Sequence, residues 1–336
     1  MTPCVIPFFI PHQGCPHQCL FCNQHAISGV GATEIDADRV ALEIREKLVW
    51  PRTPNRPVQV AFYGGSFTAL PLRRQQELLA AVAPFRATGE VAEIRISTRP
   101  DYITTELTRH LRHYGVGLVE LGIQSLHDEV LRRSGRGHTV AHVEEAVACL
   151  REAGLQVGGQ LMVGLPGDSR QRSLVGAAKL AALQPDLVRI YPTLVMAGSP
   201  LADLYGEGRF QPWSLALATV VCAAMKEIFD RHHIPVIRLG LQSCAELEEQ
   251  LLAGPYHPAF GELVMGRLFF RMVRRRLQEA RQVGGQALTL RLAERDRSLF
   301  VGMNKGNMVR MQRRHLLDNV TVQFRTDQPR NSVEVV

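Results

Sequence analysis

The chain has 336 residues, 46% of them hydrophobic, which suffices for one large domain, or a domain with an appendage, around a substantial core. No stretch approaches the roughly 18 uninterrupted apolar residues of a membrane-spanning helix, and the proline-broken N-terminal run lacks the basic segment of a signal peptide, so we expect a cytoplasmic protein without a membrane anchor. The net charge of +7 is uneven, because residues 267–330 hold 15 Lys and Arg against 5 Asp and Glu.

The first 240 residues alternate apolar strands with amphipathic helices. The segments typical of strands are Val5–Ile10, Val58–Gly65, Glu93–Thr98, Gly117–Ser125, a strand and turn over Gln156–Gly167, and Asp186–Val195. The helical segments between and after them are Ile35–Leu48, Leu72–Phe85, Thr104–Gly115, Ala141–Gly154, one after Gly167 and one near Ser214–His232. About six such units, with strands rich in Val, Ile and Leu, predict a parallel sheet covered by helices.

Polar or glycine-rich runs repeatedly follow the predicted strands. In a (β/α) barrel the loops at the carboxyl ends of the strands together build one site. We therefore predict an α/β fold in which residues 1–245 form a partial (β/α)6 TIM-like barrel with its site at that mouth. No Gly-x-Gly-x-x-Gly run opens the first helix, so a dinucleotide-binding fold is not supported.

Residues 246–336 have a different pattern, and we predict that they form a small basic α+β extension. The expected order is a basic helix within His257–Arg281, strands at Ala287–Glu294 and Ser298–Val301, the glycine loop Gly302–Asn307, a helix, and a strand at Asn319–Arg325. The basic helices offer a phosphate-binding face, and the loop faintly resembles the clamp of KH modules without its G-x-x-G spacing. The alternative is a solvated basic face whose aliphatic stems pack on the barrel.

Three of the seven cysteines, Cys15, Cys19 and Cys22, lie within eight residues in a C-x3-C-x2-C pattern. In a reducing compartment such a cluster indicates a metal or catalytic site rather than disulfides, and the other four cysteines are expected to be small buried apolar residues. Three thiolates from one loop suit an iron–sulfur cluster. A closed zinc site needs a fourth ligand, for which three nearby histidines are candidates, so the residues favour iron–sulfur and leave zinc open.

The cysteine pattern, with Phe21 before its last cysteine and strand–helix units after it, resembles the radical S-adenosylmethionine (SAM) superfamily. The resemblance implies a [4Fe-4S] cluster on Cys15, Cys19 and Cys22, whose fourth iron binds the amino and carboxylate groups of SAM. It also implies reductive cleavage of SAM to methionine and a 5′-deoxyadenosyl radical that abstracts hydrogen from a substrate. An electron donor such as flavodoxin or ferredoxin is implied as a partner.

The same resemblance assigns cofactor binding to residues at the predicted strand ends. These residues are Phe21, Gly64, Gly65, Ser66, Gln124, Ser125, Gly164 and Leu165. The run Gly64–Ser66 resembles the motif that meets the SAM amino group, with Ser66 in place of the usual acid. The run Gly164–Gly167 resembles the segment that packs on adenine, whereas Glu120 is expected to point elsewhere in the barrel.

Over residues 5–240 the resemblance narrows to the radical-SAM half of the Elongator catalytic subunit family, through ISTRPDYI, VELGIQSLHDEVLRRSGRGHT and RIYPTLVMAGSPLADLYGEGRF. That family modifies wobble uridine, which implies tRNA as a partner, bound through the basic C-terminal region. The residues after the barrel do not resemble an acetyltransferase, so acetyl-CoA chemistry is not expected. We select Arg99, Arg136 and Tyr191 as catalytic candidates; the alternatives are an Arg99–Asp101 ion pair, helix capping by the RGHT run and a core tyrosine.

Two other hypotheses compete with an RNA-modifying enzyme. One is a radical SAM enzyme acting on a small molecule such as a tetrapyrrole, because oxygen-independent coproporphyrinogen oxidase-like proteins share parts of the same segments. The other is a non-enzymatic metal-cluster protein that binds RNA. Tight, salt-sensitive tRNA binding favours RNA modification over the small-molecule enzyme. Release of 5′-deoxyadenosine from SAM excludes the non-enzymatic protein.

Overall fold

A computed structural model describes residues 3–10, 17, 19–23, 35–51, 56–283 and 287–336. Elements are numbered in chain order. The strands are β1 (Cys4–Ile10), β2 (Val58–Gly64), β3 (Glu93–Thr98), β4 (Val116–Gln124), β5 (Gln156–Val163), β6 (Leu187–Pro192), β7 (Val195–Met196), β8 (Val236–Leu239), β9 (Leu251–Ala253), β10 (Leu288–Ala293), β11 (Val320–Arg325) and β12 (Val333–Val335). Over these ranges no helix has the length and apolar character needed to span a membrane.

The helices alternate with the strands as the sequence pattern predicts. They are α1 (Ala37–Leu48), α2 (Leu72–Ala80), α3 (Ala83–Ala87), α4 (Thr105–His113), α5 (Asp128–Arg133), α6 (Val140–Glu152), α7 (Arg170–Ala182), α8 (Pro200–Gly206), α9 (Leu215–Arg231), α10 (Ala245–Glu249), α11 (Phe260–Gln282), α12 (Arg297–Val301) and α13 (Gly306–Arg313). Side chains of Thr104 and Ser169 cap the first turns of α4 and α7. The helix predicted over Leu72–Phe85 is instead two helices, because Pro84 has no amide to continue the first one and lies at the second position of the next.

Seven parallel strands form one curled sheet in the order β1-β2-β3-β4-β5-β6-β8. The predicted partial barrel is therefore confirmed, with one strand more than the six that the sequence pattern indicated. The added strand, β8, has only four residues and pairs with β6 at the sheet's edge. Its short run gave no alternation long enough to distinguish a strand from a loop.

The two faces of the sheet differ in character. Val58, Val60 and Phe62 of β2 lie in the large core shared with the surrounding helices. Because side chains of a strand alternate between faces, Gln59 and Tyr63 point to the concave interior of the half-barrel. The interior is thus lined by polar side chains at the level where a packed barrel would hold apolar ones.

The C-terminal part contains a second sheet, in the order β11-β10-β12, with its own hydrophobic core. Strands β10 and β11 are parallel, and the glycine loop joins α12 to α13 between them. The strand predicted at Ser298–Val301 is wrong, since this segment lies in the helix α12. Phe300 packs into the small core from that helix, and Gly302 ends it with a φ of 72°.

The long helix α11 belongs to both cores. Phe260, Val264 and Leu268 pack with the barrel, whereas Phe269 and Val273 pack in the small core. The division into residues 1–245 and 246–336 therefore stays a prediction, and α11, which lies wholly within the second part, packs into both cores.

Candidate active site

The cysteine loop lies against the ends of two barrel helices. Cys19 is 3% exposed and Cys22 is half-buried, and the Cys22 amide donates to the Cys19 carbonyl at 3.0 Å. Between them, Leu20 donates its amide to the Ser134 carbonyl at 3.1 Å and accepts from the Leu201 amide at 2.8 Å. These backbone bonds fix Cys19 and Cys22 relative to the barrel. The third predicted ligand, Cys15, lies outside the described residues.

Residues around the loop extend these anchors. Phe21 is half-buried in the turn before Cys22. Asn23 donates from its Nδ2 to the Ala197 carbonyl at 2.6 Å, which ties the loop to the segment after β7. The Nε2 atom of His17 lies 3.7 Å from an Asp101 oxygen.

Two buried arginines face the sulfur of Cys19. Arg136 points its Nη1 at the Cys19 Sγ at 3.3 Å, and Arg99 points its own Nη1 at the same atom at 3.9 Å. Arg136 is 6% exposed and also donates to the Gly122 carbonyl at 2.6 Å. Charge-assisted hydrogen bonds of this kind stabilise negative charge on sulfur. Two of the three predicted catalytic residues therefore converge on a predicted metal ligand.

The position of Arg99 is fixed by a carboxylate. Its Nε and Nη2 atoms donate to the two oxygens of Asp101 at 3.0 and 2.8 Å, and Nη2 also donates to the Arg136 carbonyl at 2.6 Å. Burial tends to raise the pKa of Asp101, but the hydrogen bonds and charge of Arg99 outweigh it and lower that pKa. The Arg99–Asp101 ion pair considered from the sequence is present, and it aims the guanidinium at Cys19.

A buried histidine stands beside this pair of arginines. His138 places its Nε2 3.1 Å from the Ile123 carbonyl, an acceptor, so Nε2 carries the proton. Burial and the charges of Arg136 and Arg99 lower the pKa of His138 to about 3. The ring is therefore neutral at physiological pH. Thr139, the last residue of the RGHT run, caps α6 together with His142. Helix capping, the alternative considered for this run from the sequence, is therefore present.

The glycine run after β2 allows close contact between strands. Gly64 has a φ of 102°, and a Cβ there would lie 3.2 Å from the Ile10 amide nitrogen. Ser66 is buried; its hydroxyl lies 2.9 Å from Thr98 Oγ1 and accepts from the Arg99 amide at 3.2 Å. Ser66 thus joins the ends of β2 and β3, and Gly65 leaves the backbone between them uncovered by a side chain.

The remaining predicted cofactor residues lie at the ends of β4 and β5. Gln124 has a φ of 65° where the β4 register shifts, and its Oε1 accepts from Gln160 at 3.1 Å. Ser125 follows it and donates its amide to Ile123. Strain of this kind in a buried polar residue is typical of functional sites.

The Gly164–Gly167 turn is closed by Asp168, which accepts from the Gly164 amide at 2.8 Å. Gly164 packs on Trp213, and a Cβ there would lie 3.1 Å from the indole ring. Leu165 is 2% exposed, so its apolar side chain is packed away from solvent. The turn therefore lies at the mouth with a fixed backbone, and its contact with adenine stays a prediction.

Tyr191, the third predicted catalytic residue, belongs to a separate polar group inside the barrel. Its hydroxyl accepts from Arg189 Nη1 at 3.3 Å. Arg189 in turn pairs with Glu120 at 2.5 Å, and Glu120 also accepts from Arg95 Nε at 2.6 Å and the Tyr63 hydroxyl at 3.0 Å. We call Tyr63, Arg95, Glu120, Arg189 and Tyr191 the interior network. Glu120 thus points away from the strand ends, as expected.

Two family models match successive parts of the chain. The sequence model described as the Radical SAM superfamily matches residues 9–174, and that of the Radical_SAM C-terminal domain matches residues 185–269. Together these matches cover well over half of the chain. The chain belongs to the radical SAM superfamily.

Two relatives carry names that refer to tRNA modification or to Elongator. The "tRNA uridine(34) acetyltransferase" of Methanocaldococcus infernus is 34% identical over 139 residues, 40% of this chain and 26% of that protein. "Elongator complex protein 3" of Danio rerio is 32% identical over 180 residues, 47% of this chain and 32% of that protein. The predicted resemblance to the Elongator catalytic subunit family is confirmed.

A solved structure shares the fold. Archaeal Methanocaldococcus infernus Elp3 with an N-terminal deletion superposes with a TM-score of 0.62 at 23% identity, over 80% of this chain and 63% of that chain. In each of the three comparisons the match spans less than two thirds of the relative's length.

The hydrogen-bond donors around the Cys19 sulfur are of the kind that a thiolate-bound cluster requires. An iron–sulfur cluster on thiolates carries negative charge, and its potential depends on hydrogen bonds to the sulfurs. Two buried guanidiniums on one cysteine sulfur suit such a group, and the buried Arg136 Nε has no partner among the described residues. The described part of the site therefore fits a cluster bound through Cys19.

Sequence reasoning missed the interior network as a unit. Arg95 lies at the third position of the strand EIRIST, where period-two alternation directs it away from the helices. This alternation identifies the face of the sheet on which Arg95 lies, but it does not identify the partner of Arg95. The pairing of Arg95 and Arg189 with Glu120 depends on strand register, which the sequence alone did not provide.

Proposed function

We propose that this chain is a radical SAM enzyme that binds a [4Fe-4S] cluster through Cys15, Cys19 and Cys22, binds SAM at the open iron, and modifies RNA, with tRNA as the substrate. Membership of the superfamily supports the cofactors. The names of two relatives, a tRNA uridine(34) acetyltransferase and Elongator complex protein 3, support the substrate. When bound, the cluster and SAM supply the one-electron cleavage that starts radical chemistry.

The observation that carries this proposal is the convergence of Arg136 and Arg99 on the Cys19 sulfur. Burial of Cys19 keeps water from that sulfur, and a dry site strengthens the attraction between the guanidiniums and negative charge on the cysteine. Asp101 holds Arg99 in place through two hydrogen bonds. The protein's own residues thus orient and stabilise an anionic thiolate ligand.

We further assign SAM binding to the ends of β2, β4 and β5. The residues concerned are Phe21, Gly64, Gly65, Ser66, Gln124, Ser125, Gly164 and Leu165. Glycines at Gly64, Gly65 and Gly164 leave backbone carbonyls accessible to a polar ligand. Tyr191 is proposed to line the substrate space, because its hydroxyl accepts from Arg189 and keeps its own proton for donation.

The proposed partners are tRNA and a one-electron donor of the flavodoxin or ferredoxin type, in the cytoplasm. The excess of Lys and Arg in residues 267–330 supports a polyanionic substrate. Among the hypotheses weighed from the sequence, this excess favours RNA over a tetrapyrrole.

Anaerobic reconstitution tests the cofactor assignment. The wild type is expected to bind about four irons and to release 5′-deoxyadenosine from SAM with a chemical reductant, as a three-cysteine site with one open iron requires. The variants Cys15→Ala, Cys19→Ala and Cys22→Ala should lose both, while Cys149→Ala, on α6, should keep both. Unchanged iron content in the three variants, together with no 5′-deoxyadenosine from wild type, contradicts the proposal.

The substrate assignment needs a separate experiment. RNA that co-purifies with anaerobically prepared protein is sequenced, and its nucleoside modifications are compared between wild-type cells and a deletion strain. A tRNA modification that disappears on deletion supports the proposal. Loss of a tetrapyrrole product with unchanged tRNA supports the small-molecule alternative.

A further inference from the structure

Five arginines from α11 and the end of α13 converge at one place outside the mouth. We call them the arginine cluster: Arg267, Arg271, Arg274, Arg310 and Arg314. The three in α11 follow each other at spacings of four and three residues, which puts them on one face of the helix. Burial lowers the pKa of the Arg267 guanidinium, and the charges of the other four members lower it further.

The cluster has little compensating negative charge. Arg271 pairs with Glu227 at 2.9 Å. The other four have no carboxylate oxygen within 4 Å in the described part of the chain, and the Nε atoms of Arg267 and Arg274 are buried without a hydrogen-bond partner there. Like charges one helical turn apart oppose folding, and so do unsatisfied buried donors. Such a local conflict is expected where a site is built for a ligand.

The cluster is held in shape by its neighbours. The guanidiniums of Arg267 and Arg310 lie 5.7 and 5.2 Å from the centre of the buried Phe270 ring. Asn307 donates to the Gly266 carbonyl at 2.8 Å and accepts from Arg310 at 3.1 Å, which fixes α13 against α11. Contact of a guanidinium with an aromatic ring leaves several of its N–H groups available to bind an anion.

The surroundings select the kind of anion. Every member of the cluster is an arginine, whose planar fork binds phosphate with two parallel hydrogen bonds. The apolar side of α11 is already covered, because Phe269, Val273 and Leu277 are buried in the small core. It therefore offers no apolar face to a lipid bilayer or to a protein partner. Phosphodiesters of a nucleic acid need no such face.

The distance from the mouth indicates a long ligand. Phe260, where α11 begins, contacts Gly240 at the carboxyl end of β8. With a rise of 1.5 Å per residue, Arg267 and Arg274 lie about 10 and 21 Å further along the helix. Glu227, the partner of Arg271, precedes the start of β8, which confirms that the helix runs away from the mouth. A ligand that touches both places must therefore span about 10–21 Å, which is the length of a few nucleotides of RNA backbone.

We propose that the arginine cluster binds backbone phosphates of the RNA substrate at a distance from the reacting nucleotide. The proposal rests on the proposed function for the identity of the polyanion. Its location is independent of that function, since it follows from α11, α13 and their charges. The cluster would contribute an affinity that does not depend on the RNA sequence, and contacts at the mouth would determine which nucleotide reacts.

A pair of matched double variants of the full chain tests this site. Arg267→Gln/Arg274→Gln removes two members of the cluster. Arg275→Gln/Arg276→Gln removes the same charge from the same helix, at exposed residues that pair with Glu279. Binding of a fluorescent, unmodified tRNA transcript is measured between 50 and about 300 mM salt.

The cluster variant is expected to bind at least about ten-fold more weakly, and its slope of log affinity against log salt should fall by about 1.4 to 1.8, as loss of two phosphate contacts requires. The control should change the slope by less than about half of this. Equal effects of the two variants overturn the proposal. So does a wild type that binds anionic vesicles or polyglutamate as tightly as the transcript.

Two further measurements separate this site from the cofactor chemistry. Iron content and release of 5′-deoxyadenosine without RNA should match wild type in both double variants, because neither touches the cysteine loop. Failure of wild type to release 5′-deoxyadenosine refutes the proposed function and leaves the binding result standing. Arg310→Gln/Arg314→Gln, at the end of α13 and just after it, should reproduce the binding defect. Wild-type binding by this variant overturns the proposal.

Discussion

Replacing Glu120 by glutamine should destabilise the barrel strongly. Glu120 and Arg95 have side chains 5% and 4% exposed, and Arg189, on the other side of the carboxylate, is 20% exposed. The variant therefore leaves two guanidiniums with no compensating charge at Glu120, one of them almost fully buried. Removing one partner of a buried ion pair costs about 3–5 kcal/mol, and the partial exposure of Arg189 keeps the total within that range.

A carboxylate near the surface with the same number of cationic partners provides the control. Glu43 on α1 contacts Arg39 at 3.0 Å and Lys47 at 2.7 Å, in two i,i+4 pairs near solvent. Glu43→Gln should cost about 1 kcal/mol or less. The assay is thermal unfolding of both full-length variants under anaerobic conditions, where Glu120→Gln should unfold about 4–7 °C below wild type.

The comparison has a clear refuting result. A Glu120→Gln midpoint within about 2 °C of Glu43→Gln shows that the interior network does not carry uncompensated charge as inferred. A second variant checks the cause: replacing Arg95 and Glu120 together by apolar residues should recover part of the loss, because neither charge is then left unpaired.

Three other outcomes follow from the site. Gly64→Ala should lower the free energy of unfolding by about 1–3 kcal/mol in urea titrations, because its φ of 102° is strained for alanine; wild-type stability contradicts this. Arg136→Gln should lower the reduction potential of the reconstituted cluster by roughly 50–100 mV in an EPR-monitored titration, because the donor to Cys19 is lost; a shift equal to that of Arg132→Gln, an exposed control, refutes the role. Since burial holds the pKa of His138 near 3, below its unfolded value near 6.5, protonation favours the unfolded state. Stability should fall from pH 6.5 towards 3, by about 2 kcal/mol at pH 5, and His138→Gln should flatten that slope in urea titrations at each pH.

Apolar residues that recur every second position in strands, and every third or fourth position in helices, are enough to predict the barrel, because each strand buries one face under a helix. They failed where a run was too short to show a period. The four-residue β8 was missed, and Ser298–Val301, equally short, was assigned to a strand although it folds as α12. In the second case the positive φ of Gly302 ends a helical turn, and tertiary packing of Phe300 decided the outcome.

For the candidate site, the order of the family-like segments along the sequence is less informative than the register of the strands. Arg99 and Arg136 were selected from a resemblance and meet at Cys19, as a shared mouth predicts. Tyr191 was selected on the same basis, but β6 places it on the interior network beside Arg189. Which polar residues share a hydrogen bond depends on how neighbouring strands are aligned, and no single segment contains that information.

Because α11 runs without interruption through both hydrophobic cores, the distance between the mouth and the arginine cluster is fixed. One half of this helix is locked into the barrel and the other into the small sheet, so no hinge separates the mouth from the arginine cluster. The number of residues between Phe260 and Arg267 then sets the distance, along an RNA bound at both places, between the phosphates held by the cluster and the nucleotide at the mouth. Lengthening the helix by one turn would shift the reacting position by about one nucleotide spacing, so the choice of nucleotide would be a matter of geometry as well as of recognition.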